Sequence, residues 1–138
     1  MSEVFALPVI FHTMIPVVCV ICLVLGIWIL NTTVLGRLPD HLDNNMNAAV
    51  VAGARLIAVG SIVSAAAVLG YEDGILRIAA LCLSGIAVHV LVSMVLSYAY
   101  RGAVDVVQQS GPLLPCAVLV AASQVPAALI SIASIILP

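Results

Sequence analysis

Four long apolar runs, separated by short polar gaps, limit the fold of this chain more than any other feature. A helix needs about 20 apolar residues to cross roughly 30 Å of hydrocarbon, and four segments reach that length. Lipid offers no hydrogen-bond partners to the backbone, so runs of this kind must be helical. We therefore expect an all-α, integral membrane four-helix bundle that forms a single transmembrane domain over residues 1–138. The helices are expected at approximately 8–30, 47–69, 75–98 and 113–137.

The composition supports this placement in lipid. Hydrophobic residues make up 64% of the chain and charged residues only 7%, too few to cover a water-soluble globule of this size. Lysine is absent and the net charge is −2, so no basic surface can follow a nucleic-acid backbone. We expect membrane lipid around the chain and no nucleic acid as a partner. The amino end lacks the positive region of a cleavable signal, so the first run is expected to remain as a helix.

The polar gaps fall on two sides of the predicted bundle. Both chain ends and the acidic turn at 70–74 share one side, here called face A, and the gaps at 31–46 and 99–112 share the other, face B. Two arginines lie in the face-B gaps and one lies near face A, so the positive-inside rule favours face B as the cytoplasmic side. We expect a multi-pass protein of the bacterial inner (cytoplasmic) membrane.

The two halves of the chain have one design. Each has a long apolar helix, a gap with an early arginine and later amides, and a second helix rich in small residues. Two crossings separate equivalent helices, so the bundle would consist of two parallel helical-hairpin repeats. The face-B gaps are also where a membrane-protein partner would be contacted. The candidate contacts there are Arg37, Asp43, Asn44 and Arg101.

Three features of the first hairpin carry a resemblance to a known family. They are the helix end Leu-Gly-Ile-Trp-Ile-Leu at 25–30, the segment Asp-Asn-Asn-Met-Asn-Ala-Ala at 43–49, and the small-residue helix through Gly53 and Gly60. Together they resemble the small bacterial YjfL-type inner-membrane proteins, a family of unknown function. The resemblance implies four helices in two hairpins and an association with envelope-stress proteins of the phage-shock type. The sequence departs from the family at 111–115, where Gly-Pro-Leu-Leu-Pro replaces an asparagine-alanine motif.

Cys19 and Cys22 form a C-x-x-C motif on one side of the first helix, as in a membrane enzyme that oxidises thiols with a quinone. Such an enzyme needs a second thiol pair, whereas Cys82 and Cys116 are single in the sequence. A thiol surrounded by lipid also forms little thiolate. We therefore expect these cysteines to pack the bundle, and we expect no catalytic residue, no metal site and no cofactor.

The remaining polar residues and the prolines of the predicted helices are expected to have structural roles. His12 lies about one turn inside face A and His89 near face B, so their depths do not match as haem ligands require. Gln124 is expected to make an interhelical hydrogen bond rather than contact a substrate. Pro115 and Pro126 are expected to bend the last helix, because each lacks the N–H of a helical hydrogen bond.

Small residues make the second helix thin on several sides. In lipid, thin helices pack closely through van der Waals contact, and four helices give this one few neighbours. We therefore expect a homo-oligomer. The residues in question are Ala48, Ala49, Ala52, Gly53, Ala54, Ala58, Gly60, Ser61, Ser64 and Ala65.

Arg55 and His89 are the ionisable side chains placed deepest. Arg55 is eight residues past the expected start of its helix, about 12 Å below face B, and His89 is about 9 Å below that face. A charge at such depth costs about 2.5–3.5 kcal/mol on insertion scales, so Arg55 should face the bundle interior, although it could also extend toward phosphates at face B. We expect Arg55, His89 and Asn47 to line a polar pocket, open to face B, for an anion, a lipid headgroup or a partner's carboxylate.

Three classes of function remain open. The favoured class is a structural or interaction protein that is not an enzyme: a scaffold, sensor or accessory subunit, related to envelope stress if the resemblance holds. The alternative is a small oligomeric channel or transporter. Proton-coupled transporters generally use a carboxylate within the membrane, and every acidic residue here lies outside the predicted spans. Within this alternative, a channel is therefore favoured over a proton-coupled transporter. A membrane thiol-redox enzyme is the least favoured class.

Overall fold

The protein is described by a computed structural model that covers residues 3–33, 45–101 and 112–137, with side chains from residue 10 onward. Of these residues 91% are helical and none is in a strand. All four helices are long and apolar enough to cross a membrane, which confirms the predicted all-α membrane bundle. The helices are α1 (Glu3–Thr33), α2 (Met46–Gly70), α3 (Ile75–Ala99) and α4 (Pro115–Ile136).

Local sequence signals explain where the helices begin and turn. The Asn45 side chain accepts a hydrogen bond from the backbone N–H of Ala48 at 3.0 Å and so caps the start of α2. Between α2 and α3, the N–H groups of Asp73 and Gly74 donate to the carbonyl of Gly70. Gly74 has φ +96°, a conformation that favours glycine, which allows the chain to reverse within a short turn.

The two prolines of α4 differ in their roles. Pro115 is the first residue of the helix, where its missing N–H costs nothing. The expected bend at Pro115 is therefore wrong, because this proline starts the helix. Pro126 lies inside α4, where it cannot donate to the carbonyl four residues earlier.

α2 and α3 occupy the centre of the bundle. Each of them packs against the other and against both α1 and α4, and the most extensive contact joins α2 to α4. α1 and α4 flank this central pair. The face-B end of the bundle is formed by the starts of α2 and α4 and the ends of α1 and α3.

The apolar interior has two parts. The larger joins α1, α2 and α3. α2 and α3 also approach each other closely at Gly85, where an added Cβ would lie 2.6 Å from Cγ2 of Ile62. The smaller joins α2 and α4 near face B. The buried members of the larger part are Cys22, Leu30, Val59, Val63, Ala66, Ile78, Cys82 and Ile86, and those of the smaller are Ala48, Val51, Ala117, Val120 and Ala121.

Candidate binding site in the bundle interior

A group of polar side chains from all four helices lies inside the bundle. This buried polar cluster, as we call it, consists of Asn31, Arg55, His89, Ser93 and Gln124. Arg55 and Gln124 each follow the first residue of their helix by nine positions, and His89 precedes the last residue of α3 by ten. At 1.5 Å per residue, these three side chains lie at one depth, about 13–15 Å from the face-B end.

Arg55 is the central charge of the cluster. Its side chain is 2% exposed, its Nη1 donates a hydrogen bond to Oδ1 of Asn31 at 3.0 Å, and its Nε has no partner. Among the described side chains the only ion pair joins Arg77 to Asp73 at 3.9 Å, on the exposed face-A side. Within the part of the chain that the structure describes, therefore, no carboxylate neutralises Arg55.

His89 is fully buried beside Arg55. Neither ring nitrogen has a hydrogen-bond partner, although the side chain of Gln124 and the backbone of Ala127 are close to the ring. Oε1 of Gln124 and Oγ of Ser93 are also buried without a partner. A buried polar atom left unpaired costs about 1–3 kcal/mol, so the cluster has an unusual concentration of unmet hydrogen-bonding capacity.

A polar stripe on α3 connects the cluster to face B. Ser97, Ser93 and His89 are spaced four residues apart, so they lie on one side of the helix, and all three are buried. Beyond His89, toward face A, the buried side of α3 continues through Cys82 and Ile78 and is apolar. The polar stripe therefore ends at the cluster.

Asn47 lies apart from this cluster. Its Nδ2 donates to the carbonyl of Pro112 at 3.3 Å and its Oδ1 accepts from the N–H of Leu114 at 2.8 Å. The side chain thus ties the start of α2 to the segment before α4, about 12 Å along the helix from Arg55. The structure brings together Arg55 and His89 of the three predicted pocket residues and places Asn47 at this interhelical contact.

The predicted face-B contacts are described only in part. Arg101 is exposed just after α3. Arg37, Asp43 and Asn44 lie outside the described residues.

Sequence reasoning missed three members of the cluster. The sequence pattern predicts no role for Asn31 or Ser93, and it predicts an interhelical hydrogen bond for Gln124. Two signals could have identified them: Ser93 follows His89 by one helical turn, and Gln124 has the same position in α4 that Arg55 has in α2. Asn31 could be found only from the packing of α1 against α2.

The cysteines also differ from the sequence-based account. Cys82 is not isolated, because the contact between α1 and α3 places it beside Cys22, and Cys19 packs against the same part of the interior. The four cysteines are free thiols. Among the described residues, no three histidine, cysteine or acidic side chains converge as metal ligands would.

An aromatic group marks the face-A end. The hydroxyl of Tyr71 lies 3.3 Å from Nδ1 of His12, and the ring of Phe11 meets Tyr71 edge to face. His12 and Tyr71 are exposed, an arrangement typical of aromatic residues at a membrane interface.

The fold and this site define a multi-pass membrane protein whose four described helices enclose a buried polar cluster. No known protein family, curated protein or solved structure matches the chain. The resemblance to YjfL-type proteins stays a prediction.

Proposed function

We propose that this chain is a non-enzymatic interaction protein of the membrane, a scaffold, sensor or accessory subunit, whose buried polar cluster binds an anionic group. One observation carries the proposal. Arg55 is buried among four helices with an unpaired Nε and with no described carboxylate near it. Ionisable side chains within membrane spans are rare and generally mark functional sites.

The physical argument rests on the cost of a buried charge. A guanidinium removed from water is stable only when an opposite charge or several hydrogen bonds compensate it, and here one neutral amide contributes a single bond. A bound anion would supply both charge and acceptors. The unpaired polar atoms of His89, Ser93 and Gln124 provide further bonds that would hold and orient such a group.

A second candidate, a small oligomeric channel or transporter, is supported by the polar stripe of Ser97, Ser93 and His89. A row of polar side chains leading into the membrane is what a permeation path requires. The buried side of α3 between this stripe and face A is apolar, however, and this feature favours a binding site over a continuous polar pore.

Arg55→Leu tests the proposed function. In native membranes we expect this variant to stay inserted but to lose the proteins or lipids that co-purify with the wild type in mild detergent. Arg55→Lys should recover only part of the binding, because lysine lacks the planar fork of donors. Arg77→Leu is the matched control, since Arg77 is exposed and distant from the cluster. Unchanged co-purification with Arg55→Leu would contradict the proposal, and ion flux through liposomes that depends on Arg55 would favour the second candidate.

We also propose a homo-oligomer that forms through the outer side of α2. Gly53 and Gly60 share this side with the exposed Ile57, and a Cβ added at either glycine would meet nothing within 4 Å of the same chain. Gly53→Leu and Gly60→Leu should therefore weaken association without disturbing the protomer. Native mass spectrometry from membranes measures this directly, and a wild-type monomer would contradict the proposal.

A further inference from the structure

We infer that the ligand of the buried polar cluster is a singly charged phosphate group that keeps at least one hydroxyl and reaches the cluster from face B. The inference rests on the proposed anion-binding function and specifies the chemistry of its ligand. It follows from the charge of the cluster, from its mixture of donors and acceptors, and from the polar stripe on α3.

The charge of the cluster sets the charge of the ligand. Arg55 is the one arginine or lysine buried in the described interior, so the permanent charge of the cluster is a single positive charge. A monoanion would neutralise it, whereas a dianion would leave an excess charge in a medium of low dielectric constant, at high cost.

The unpaired atoms distinguish a phosphate from a carboxylate. Nε of Arg55 and the hydroxyl of Ser93 can donate, while Oε1 of Gln124 can only accept; a neutral His89 ring has one nitrogen of each kind. A carboxylate accepts but does not donate, so it would leave the acceptors unpaired. A phosphate monoanion has charged oxygens that accept and hydroxyl groups that donate, so it can bond to both kinds of unpaired atom.

The position of the cluster limits how such a group arrives. It lies about 13–15 Å from the face-B end, and its unpaired atoms are inaccessible in this structure, so α3 must separate from its neighbours along the buried hydroxyls of Ser97 and Ser93 to admit the group. The same phosphate chemistry has two possible sources, free inorganic phosphate and the monoester headgroup of phosphatidic acid. A phosphodiester headgroup such as that of phosphatidylglycerol has no hydroxyl on phosphorus and should not fit.

The experiment uses the full-length chain and has two arms. In detergent, the thermal unfolding midpoint is measured against inorganic phosphate, acetate and chloride at constant ionic strength and at a pH where phosphate is mainly monoanionic. In nanodiscs of phosphatidylcholine, the same midpoint is measured with added phosphatidic acid or phosphatidylglycerol. If the unfolding midpoint rises saturably with inorganic phosphate but not with acetate or chloride, the ligand is the free ion. If the midpoint rises with phosphatidic acid but not with phosphatidylglycerol, the ligand is the lipid headgroup.

Variants separate specific binding from general salt effects. Arg55→Leu should abolish the response, Arg77→Leu should retain it, and Ser93→Ala should weaken binding about tenfold, the equivalent of one lost hydrogen bond to a charged group. If Arg55→Leu does not fold, the Ser93→Ala titration still tests the inference, because unchanged affinity in that variant would overturn it.

Three results would overturn the inference: no response in either arm, an equal response to acetate and phosphate, or a phosphate response that survives Arg55→Leu. An equal response to acetate and phosphate that still requires Arg55 would reject the phosphate while leaving the anion-binding function intact. If Arg55→Leu loses its co-purifying partners but the wild type does not respond to phosphate or its monoester, the phosphate ligand is rejected and the anion-binding function stands.

Discussion

Replacing Arg55 with leucine should stabilise the unliganded protein, although the same change should abolish its function. The reason is that Arg55 is a buried charge with only one described hydrogen bond, to Asn31. When a buried ionic group is replaced by an apolar residue of similar volume, the result is often neutral or stabilising by about 1–4 kcal/mol.

The size of the effect can be worked from the position of the residue. At the centre of a membrane helix, arginine costs about 2.5–3.5 kcal/mol and leucine contributes about −0.3 to −0.6 kcal/mol, a difference of about 3–4 kcal/mol. Arg55 lies nine residues into a helix of 25, short of the centre, so this difference is an upper limit. Loss of the charged hydrogen bond to Asn31 offsets about 1.5–3 kcal/mol. We therefore expect a net gain of between about 0 and 2.5 kcal/mol in the free energy of unfolding.

The reciprocal substitution should act in the opposite direction. Asn31→Ala leaves the guanidinium of Arg55 buried without its partner, which should destabilise the protein by about 1–3 kcal/mol. In the Arg55→Leu background the same alanine substitution should have almost no effect, because the interaction is already gone. The two side chains would then show a clear coupling energy in a double-mutant cycle.

Reversible unfolding in mixed micelles with increasing dodecyl sulfate measures these free energies. Arg77→Leu serves as the control, since it removes only an exposed pair with Asp73 and should change stability by less than about 1 kcal/mol. A loss of more than about 1 kcal/mol in Arg55→Leu would refute the reasoning. It would mean that Arg55 has a stabilising ionic partner in the unliganded protein.

Three further outcomes are expected. Gly85→Ala should destabilise the bundle by about 1–3 kcal/mol in the same unfolding assay, because the added Cβ would lie 2.6 Å from Cγ2 of Ile62. Gly53→Ala should not destabilise it, because a Cβ there meets nothing within 4 Å. Reporter proteins fused to the two chain ends should report the same compartment, on the side opposite the two longer gaps, and opposite compartments would contradict four crossings. Replacing Cys19 and Cys22 together with alanine should leave folding and partner binding intact, and loss of binding in that variant would support a redox role.

The apolar runs predicted the fold class because their cause is local. A segment of more than 20 apolar residues in lipid has no alternative to a helix, whatever its neighbours are. Helix limits followed from equally local signals: the Asn45 cap and the glycine turn before α3 both lie where the polar residues interrupt the apolar runs. The predicted bend at Pro115 is wrong because a proline two residues from an expected helix start can either bend the helix or begin it, and the preceding backbone decides between the two.

The site was only partly accessible to sequence reasoning. The depths of Arg55 and His89 follow from helix geometry, so their pairing could be anticipated. Asn47 is predicted to join them because it is polar and near face B, but its depth alone does not reveal that its amide is hydrogen-bonded to the backbone before α4.

The sequence by itself therefore determined the apolar spans that form the four described helices and the depths of Arg55 and His89 within them, because both depend on distance along the chain. Only the tertiary structure decided which sides of the helices face one another. That choice placed Asn31 against Arg55 and Cys82 beside Cys22, and it left the polar atoms of His89 and Gln124 unpaired. Interhelical packing depends on the combined shapes of four helices in lipid, and the hydropathy of any one of them does not encode it.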